Sequence, residues 1–166
     1  HPQKNHDFLI DVFAEIKKKK PDAELILVGT GPLEEKVKSK VVEKGLSDCV
    51  HFLGNRKDMN RIYQAMDVFV FPSLFEGLGI VAIEAQAAGV PIVCSEGLPP
   101  ETDITPIYQK LLLSDGAEKW ANVALEMAQN LKAHTNMQQY VIDAGFDMDA
   151  TAKYMESYYL NRWRTA

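Results

Sequence analysis

The chain has 166 residues, 46% hydrophobic and 25% charged, with a formal net charge of -5. A chain of this length removes roughly two thirds of its unfolded surface from water, so one domain over residues 1–166 is expected and a disordered tail protein is excluded. The acidic balance argues against a nucleic-acid surface, and no apolar run approaches the roughly 20 residues that would span a bilayer.

No signal peptide opens the sequence, and the expected location is cytoplasmic. Phe8, Leu9, Val12, Phe13 and Ile16 recur at helical spacing and predict an amphipathic helix over residues 4–19 with one face inward. Lys17 to Lys20 closes that helix before Pro21, where cations complement the helix dipole; a solvated helix end is the favoured reading over a nucleic-acid contact. Glu24 to Val28 then predicts a strand, Gly29-Thr30-Gly31-Pro32 a turn, and Leu33, Val37 and Val41 one side of a helix that runs to Gly45. The unit recurs as a strand from Cys49 to Leu53, Gly54 and a helix containing Ile62 and Tyr63. It recurs again as a strand from Asp67 to Phe71 and a helix from about Leu78 to Ala88, ended by Gly89. Pro91 to Cys94 and Lys110 to Leu113 read as two more strands, and Ser95 to Pro106 as an irregular loop. From Gly116 onward the chain reads as helical through Trp120, Leu125, Leu131, Tyr140, Tyr154 and Tyr158. Cys49 and Cys94 lie beside apolar residues in strands, without Cys-x-x-Cys spacing or paired histidines, and are expected to be buried free thiols.

Strands alternating with helices predict an α/β fold, a doubly wound, Rossmann-like parallel sheet covered on both faces. In such sheets ligands sit beyond the carboxyl ends of the strands. The glycine-bearing turns at Gly29/Gly31, Gly54 and Gly77/Gly79 all fall on that edge.

Gly29-x-Gly31 serves equally as a tight turn or a phosphate loop, and it lacks the third glycine of a dinucleotide fingerprint. After Gly54, the Asn55-Arg56-Lys57-Asp58 segment offers backbone groups and a cation to a base, but Asp58 as the cap of the next helix is the favoured reading. The stretch from Glu76 to Glu84 is more specific. Gly77 and Gly79 let the backbone approach a ligand, and the N–H groups around Leu78, Gly79, Ile80 and Val81 open a helix, a combination suited to phosphate. Glu76 can accept from sugar hydroxyls, and Glu84, about one turn further on, can grip two ribose hydroxyls. The residues leave a second reading open, in which Glu76 caps the helix and Glu84 is a solvated helical carboxylate. A phosphorylated, hydroxyl-bearing ligand fits the first reading.

The run Phe71-Pro72-Ser73-Leu74-Phe75-Glu76-Gly77-Leu78-Gly79-Ile80-Val81-Ala82-Ile83-Glu84-Ala85, followed by Ala88-Gly89-Val90-Pro91-Ile92-Val93, closely resembles the signature of retaining glycosyltransferases of family four, which have the GT-B fold. Leu27 to Leu33, Phe52-Leu53-Gly54 and Asp67 to Phe71 match the same pattern in order and spacing, so the resemblance covers nearly the whole chain. Gln3-Lys4-Asn5-His6 and Leu98 to Trp120 look most like members that build bacterial capsular or exopolysaccharide.

The resemblance implies the carboxyl-terminal, donor-binding half of such an enzyme, with an amino-terminal acceptor domain outside this chain. It implies a nucleotide-diphosphate sugar as donor substrate, a uridine diphosphate sugar by expectation, with no metal and no cofactor. Lys4 would pair with the donor diphosphate, Glu76 would hold the transferred sugar with the backbone of Gly77 to Gly79, and Glu84 would bind ribose. Gly29 and Gly31 would line the donor site, and Gly54, Asn55 and Arg56 would meet the base. Any membrane contact, at the inner membrane face, would belong to the absent half, and rings of the last helix (Tyr154, Tyr158, Tyr159, Trp163) would either pack on the sheet or form a surface for that half.

Two departures follow from the same resemblance. The family places a strand ending in Gly-Arg ahead of the segment that begins this chain. Without it, a sheet of order 3-2-1-4-5-6 would have a gap between the strands at Leu25 and Val68, which either closes up, is filled by another segment or molecule, or leaves a fragment of reduced stability. After Ser95, Gly97-Leu98-Pro99-Pro100-Glu101 stands where many relatives have a glycine pair before a glutamate. Two other readings compete: a nucleotide-sugar binding module with no turnover of its own, and, more weakly, a dehydrogenase half.

Overall fold

In the computed structural model, which describes residues 1–130 and 134–164, strands and helices alternate in the expected order; Leu131, expected to be helical, lies outside the described residues. A 3-10 turn at Pro2–Lys4 leads into α1 (His6–Lys19), then β1 (Leu25–Leu27), α2 (Glu34–Glu43), β2 (Val50–Phe52), α3 (Met59–Tyr63) and β3 (Phe69–Phe71). There follow α4 (Ile80–Ala87), β4 (Ile92–Ser95), β5 (Tyr108–Leu111), α5 (Gly116–Asn130), α6 (Gln138–Asp143) and α7 (Met148–Arg164). All pairing is parallel, as crossover connections through helices require.

The expected single sheet is divided into two. β1 pairs with β2, and β3, β4 and β5 form a separate sheet in that order, with no ladder joining β1 to β3. The gap has therefore not closed. Backbone polarity shows where it opens. Leu25 donates to Cys49 and Leu27 accepts from Leu53, so these two residues face β2 and Ile26 faces the other way. Phe69 donates to Pro91, so Phe69 and Phe71 face β4 and Val70 turns toward β1's side.

What holds the two sheets together is α1. Leu9, Ile10 and Phe13 pack with Leu27, Val41, Leu46, Cys49 and Val50 over the small sheet. Val12, with Phe8 and Ile16 beside it, packs with Val93, Leu111, Trp120, Ala121 and Ala124 over the large one. The helix thus buries two adjoining faces where the sequence pattern suggested one. Val70 joins both clusters from below. On the opposite face of the large sheet, Phe71, Ile92 and Cys94 pack against Ala82 of α4 and Leu98, so β4 is covered on both sides and buried throughout. Cys49 and Cys94 are buried free thiols, and burial pushes the Cys94 thiol up to about 11.

Two further expectations change. The last strand begins at Tyr108, because its register is set by pairing of Tyr108 with Ile92; the apolar run Leu111-Leu112-Leu113 overshoots it, and the Leu113 N–H is taken by the Glu96 carboxylate. Core packing of the final aromatics does not occur: Tyr154, Tyr158, Tyr159 and Trp163 are exposed on α7, Trp163 at 85%, whereas Trp120 is fully buried with its indole N–H donating to the Leu112 carbonyl.

Polar contacts reinforce the α1–α2 contact. Lys40 Nζ reaches the Asp7 carboxylate at 2.8 Å and the Asp11 carboxylate at 2.7 Å, and Lys44 reaches Asp11 at 2.9 Å. Burial opposes the Asp11 charge, but the hydrogen bonds from Lys40 and Lys44 outweigh it and hold the carboxyl below its ordinary value. A carboxyl lowered in the folded state stabilises above its unfolded pKa and loses that contribution as pH falls through the folded one. Solvent screening limits the contribution, so Lys40→Met is expected to lower stability by about 0.5–1 kcal/mol at pH 7 in urea titrations, with the difference shrinking below about pH 4. Hydrogen exchange tests the divided sheet: the Ile26 and Val70 amides, which face no paired strand, should exchange orders of magnitude faster than the Val93 amide, which donates within the β3–β4 ladder.

Candidate functional site

The carboxyl ends of the two sheets are spanned by the first four residues. The backbone nitrogen of His1 lies beside Gly31, where an added Cβ would sit 3.6 Å from it. Two residues on, the Gln3 carbonyl accepts from the Leu74 N–H at 2.8 Å and the Gln3 amide donates to the Phe75 carbonyl at 2.8 Å. The amino-terminal turn thus runs from the turn after β1 to the loop after β3. Asn5, in the left-handed conformation at φ 51°, makes the bend from this turn into α1, a conformation Asn tolerates better than most residues.

This turn delivers Lys4 to Glu76. Lys4 Nζ stands 2.8 Å from Glu76 Oε1 and 4.9 Å from the centre of the Phe71 ring. The Glu76 side chain is only 6% exposed and that of Lys4 is 37% exposed, so a nearly buried carboxylate is compensated by a cation that still reaches solvent. The Glu76 N–H donates to the Gly97 carbonyl at 3.0 Å. Glu76 is not the cap of α4: that position is Gly79, left-handed at φ 71°, with the Glu76 side chain under it. α4 begins at Ile80, two residues later than the sequence suggested, and the N–H groups of Ile80 and Val81 have no acceptor within the helix. Gly77, Leu78 and Ile80 are exposed around this helix start.

Glu84 is exposed on α4 and is not a bare solvated carboxylate: the Tyr63 phenol at the end of α3 donates to its Oε2 at 3.0 Å. Burial raises the Tyr63 pKa, and the neighbouring Glu84 carboxylate adds to the effect.

On the small-sheet side, Gly29, at φ 112°, donates its N–H to the Gly54 carbonyl at 2.8 Å, bringing the two glycine turns together. The Thr30 hydroxyl lies 3.5 Å from the Asn55 amide oxygen. Arg56 makes a two-pronged pair with Asp58, at 2.8 and 2.7 Å, which corrects the reading of Asp58 as a helix cap: Asp58 occupies the N-cap position, but its carboxylate is taken by the guanidinium. The pair holds the Asp58 carboxyl below its usual range.

The loop after Ser95 packs tightly beneath the site. A Cβ on Gly97 would stand 2.3 Å from the Leu74 carbonyl oxygen, so only glycine lets the loops after β3 and β4 approach this closely. Ser95 Oγ donates to the Ser73 carbonyl in the same contact. Gln86, fully buried, anchors the rest of the loop by donating to the Ala82 and Thr102 carbonyls and accepting from the Thr105 hydroxyl. Gln3, Tyr63, Gln86 and Gly97 are therefore part of the site's framework, though the sequence assigned none of them a role. Gln3 carried a signal through its place next to Lys4, and Gly97 through the departing segment after Ser95; Tyr63 and Gln86 carried none. A groove of about 850 Å³ lies apart from these residues, between β5 and α5, lined among others by Glu96, Lys110, Asp115 and Lys119. Among the described residues no cluster of His, Cys, Asp and Glu forms a metal-binding group, and no helix is long and apolar enough to cross a membrane.

A parallel α/β domain with glycine turns, a Lys–Glu pair and a helix start gathered at the carboxyl ends of its two sheets has the architecture of a GT-B domain, and solved structures agree on the fold. The whole chain superimposes on 44% of a sucrose-phosphate synthase from Thermosynechococcus elongatus, with a TM-score of 0.81 at 24% identity. Over 95% of the chain it matches 46% of Anabaena HepE, solved in complex with UDP-glucose, with a TM-score of 0.74 at 22% identity. A family model described as Glycosyl transferases group 1 matches residues 1–130, and the chain belongs to this family. It is 32% identical over 149 residues to EpsF of Bacillus subtilis (strain 168), an alignment covering 89% of this chain and 39% of EpsF. The chain thus spans well under half the length of that relative.

Gly97→Ala tests the packing beneath the site. Backbone has to move to admit the methyl group, and a loss of about 1–3 kcal/mol is expected in urea unfolding, against little change for alanine at Gly77, where the space is open.

Proposed function

We propose that this chain is the donor-binding half of a glycosyltransferase that moves a sugar from a nucleotide diphosphate to a hydroxyl acceptor with retention of configuration. The observation that carries the reading is the Lys4–Glu76 pair at the start of α4. A cation and a hydroxyl-accepting carboxylate in contact suit a ligand in which phosphate and sugar are directly joined. In this reading Lys4 and the amides of Ile80 and Val81 meet the diphosphate, Glu76 turns to the sugar, Glu84 holds ribose, and the turns at Gly29 and Gly54, with Asn55, meet the base. Arg56, paired with Asp58 through Nε and Nη2, meets the base in the same reading with the N–H groups that remain.

The protein's contribution to transfer is then electrostatic. Charge developing on the leaving diphosphate is met by fixed donors, and the departing phosphate takes the acceptor's proton, so Glu76 orients the sugar without serving as nucleophile. A uridine diphosphate sugar is the proposed donor, which the UDP-glucose complex of HepE supports by analogy of fold. A role in capsule or exopolysaccharide synthesis rests on the resemblance of residues 3–6 and 98–120. Since the chain covers 39% of EpsF, transfer is assigned to a whole enzyme with an acceptor lobe, and this chain by itself is proposed to bind donor without turnover. The exposed rings of α7 are a surface open to such a lobe.

Calorimetric titration with UDP and UDP-glucose tests the assignment. Lys4→Ala should weaken both ligands by about tenfold or more, the value of a charge-assisted hydrogen bond, and Glu76→Ala should weaken UDP-glucose while sparing UDP. Tighter binding of a nicotinamide dinucleotide than of either ligand would overturn the assignment.

A further inference from the structure

The least expected contact near the site is that between Tyr63 and Glu84. A carboxylate exposed in the middle of a helix is hydrated and needs no protein partner. Tyr63 is buried, with its ring among Met59, Met66, Ala85 and Val90 and edge-on to Phe69 at 6.3 Å. Its hydroxyl lies 3.0 Å from Glu84 Oε2 and 3.4 Å from the Val81 carbonyl oxygen, both on α4. A phenol has one proton, and the shorter contact takes it, so Tyr63 donates to the carboxylate.

Two consequences follow. Helical side chains lean toward the amino terminus of their helix, and the hydroxyl that holds Oε2 at 3.0 Å also lies 3.4 Å from the Val81 carbonyl oxygen, so Oε2 is held over the first turn of α4. The ring is locked by packing, so one oxygen of an otherwise mobile side chain is held in place. The other, Oε1, has no protein partner among the described residues and keeps its capacity to accept.

We propose that Tyr63 is a positioning residue that sets the Glu84 carboxylate to receive the ribose hydroxyls of a nucleoside diphosphate. This rests on the donor-site reading above. Tyr63 touches no ligand in this arrangement; it acts by removing the rotamer freedom that Glu84 would otherwise lose on binding, worth about three- to tenfold in affinity.

The test is titration of the chain and of its Tyr63→Phe and Glu84→Ala variants with UDP, 2′-deoxy-UDP, GDP and 2′-deoxy-GDP. Phenylalanine keeps the packed ring and removes only the hydroxyl. The expected result is a preference for the ribo form that Glu84→Ala abolishes and Tyr63→Phe reduces about three- to tenfold, with affinity for the deoxy form nearly unchanged. The ratio of ribo to deoxy affinity carries the decision, because partial unfolding of a variant weakens both ligands alike. If Glu84→Ala removes the preference and Tyr63→Phe leaves the ratio intact, the positioning role is overturned and the assignment of Glu84 stands. If the chain shows no ribo preference, or one indifferent to Glu84→Ala, the assignment of Glu84 fails and this inference fails with it.

Discussion

The structure depends on one helix bridging two sheets that do not hydrogen-bond to each other. Between β1 and β3 no ladder exists, so cohesion across that line is carried by side chains, above all those of α1. Ile10 faces the small sheet and Val12 the large one, and both are fully buried. Burying a side chain of this size is worth about 1.5–3 kcal/mol relative to leaving it exposed, so a few such residues decide whether the halves behave as one body. The site inherits that dependence. Its cation lies immediately ahead of α1, and its carboxylate in the loop after β3, which belongs to the large sheet alone. A shift of α1 across the large sheet would displace Lys4 from Glu76.

The Lys4–Glu76 contact illustrates why a site of opposed charges suits exchange with a ligand. A carboxylate with 6% of its side chain exposed is costly without a partner, and Lys4 supplies one from the solvent side. The pair is thus held by the loss that separation would cause, and in the proposed reading a phosphorylated ligand with a hydroxyl next to its phosphate would replace both halves at once, the phosphate accepting from lysine and the hydroxyl donating to glutamate. Around the pair, Gln3 and Gly97 hold the loop after β3 by its backbone, so the charged groups are supported by hydrogen bonds that do not titrate.

Much of this was legible in the sequence, and the failures have a common cause. Period and punctuation located the strand and helix cores, because apolar spacing and glycine or proline breaks are local properties. The glycine turns on the strand ends were likewise local, and the structure joins two of them through Gly29 and Gly54. The misread features depended on pairing. The one-sided reading of residues 4–19 missed that a broad apolar arc can serve two sheets. The carboxylate of Asp58 went to Arg56, two residues away, in competition with the helix start. The sequence places Tyr63 on a helix with Ile62 and without a role, since no local pattern distinguishes a phenol whose oxygen emerges beside a carboxylate 21 residues on. For the rings of α7 the sequence leaves packing on the sheet and an exposed surface both open, and the structure shows them exposed: an amphipathic pattern does not say what it packs against.

The two glutamates at this helix start differ in burial and in partner. Glu76 precedes the helix, is nearly enclosed and is matched by a cation, so its hydrogen bonding is coupled to charge and to the state of Lys4. Glu84 lies within the helix, is exposed, and is matched by a neutral donor, so its geometry is constrained while its charge is left uncompensated. Among the described residues, the neutral partner leaves Glu84 with no cation competing for its second oxygen, which in the proposed reading is the one open to the ribose hydroxyls. Beside Glu76, a cation compensates a carboxylate that the protein largely removes from water. The difference in partner follows the difference in solvent access, and it ties the two carboxylates to different elements: Glu76 to the turn that carries Lys4, Glu84 to the packing of α3 against α4.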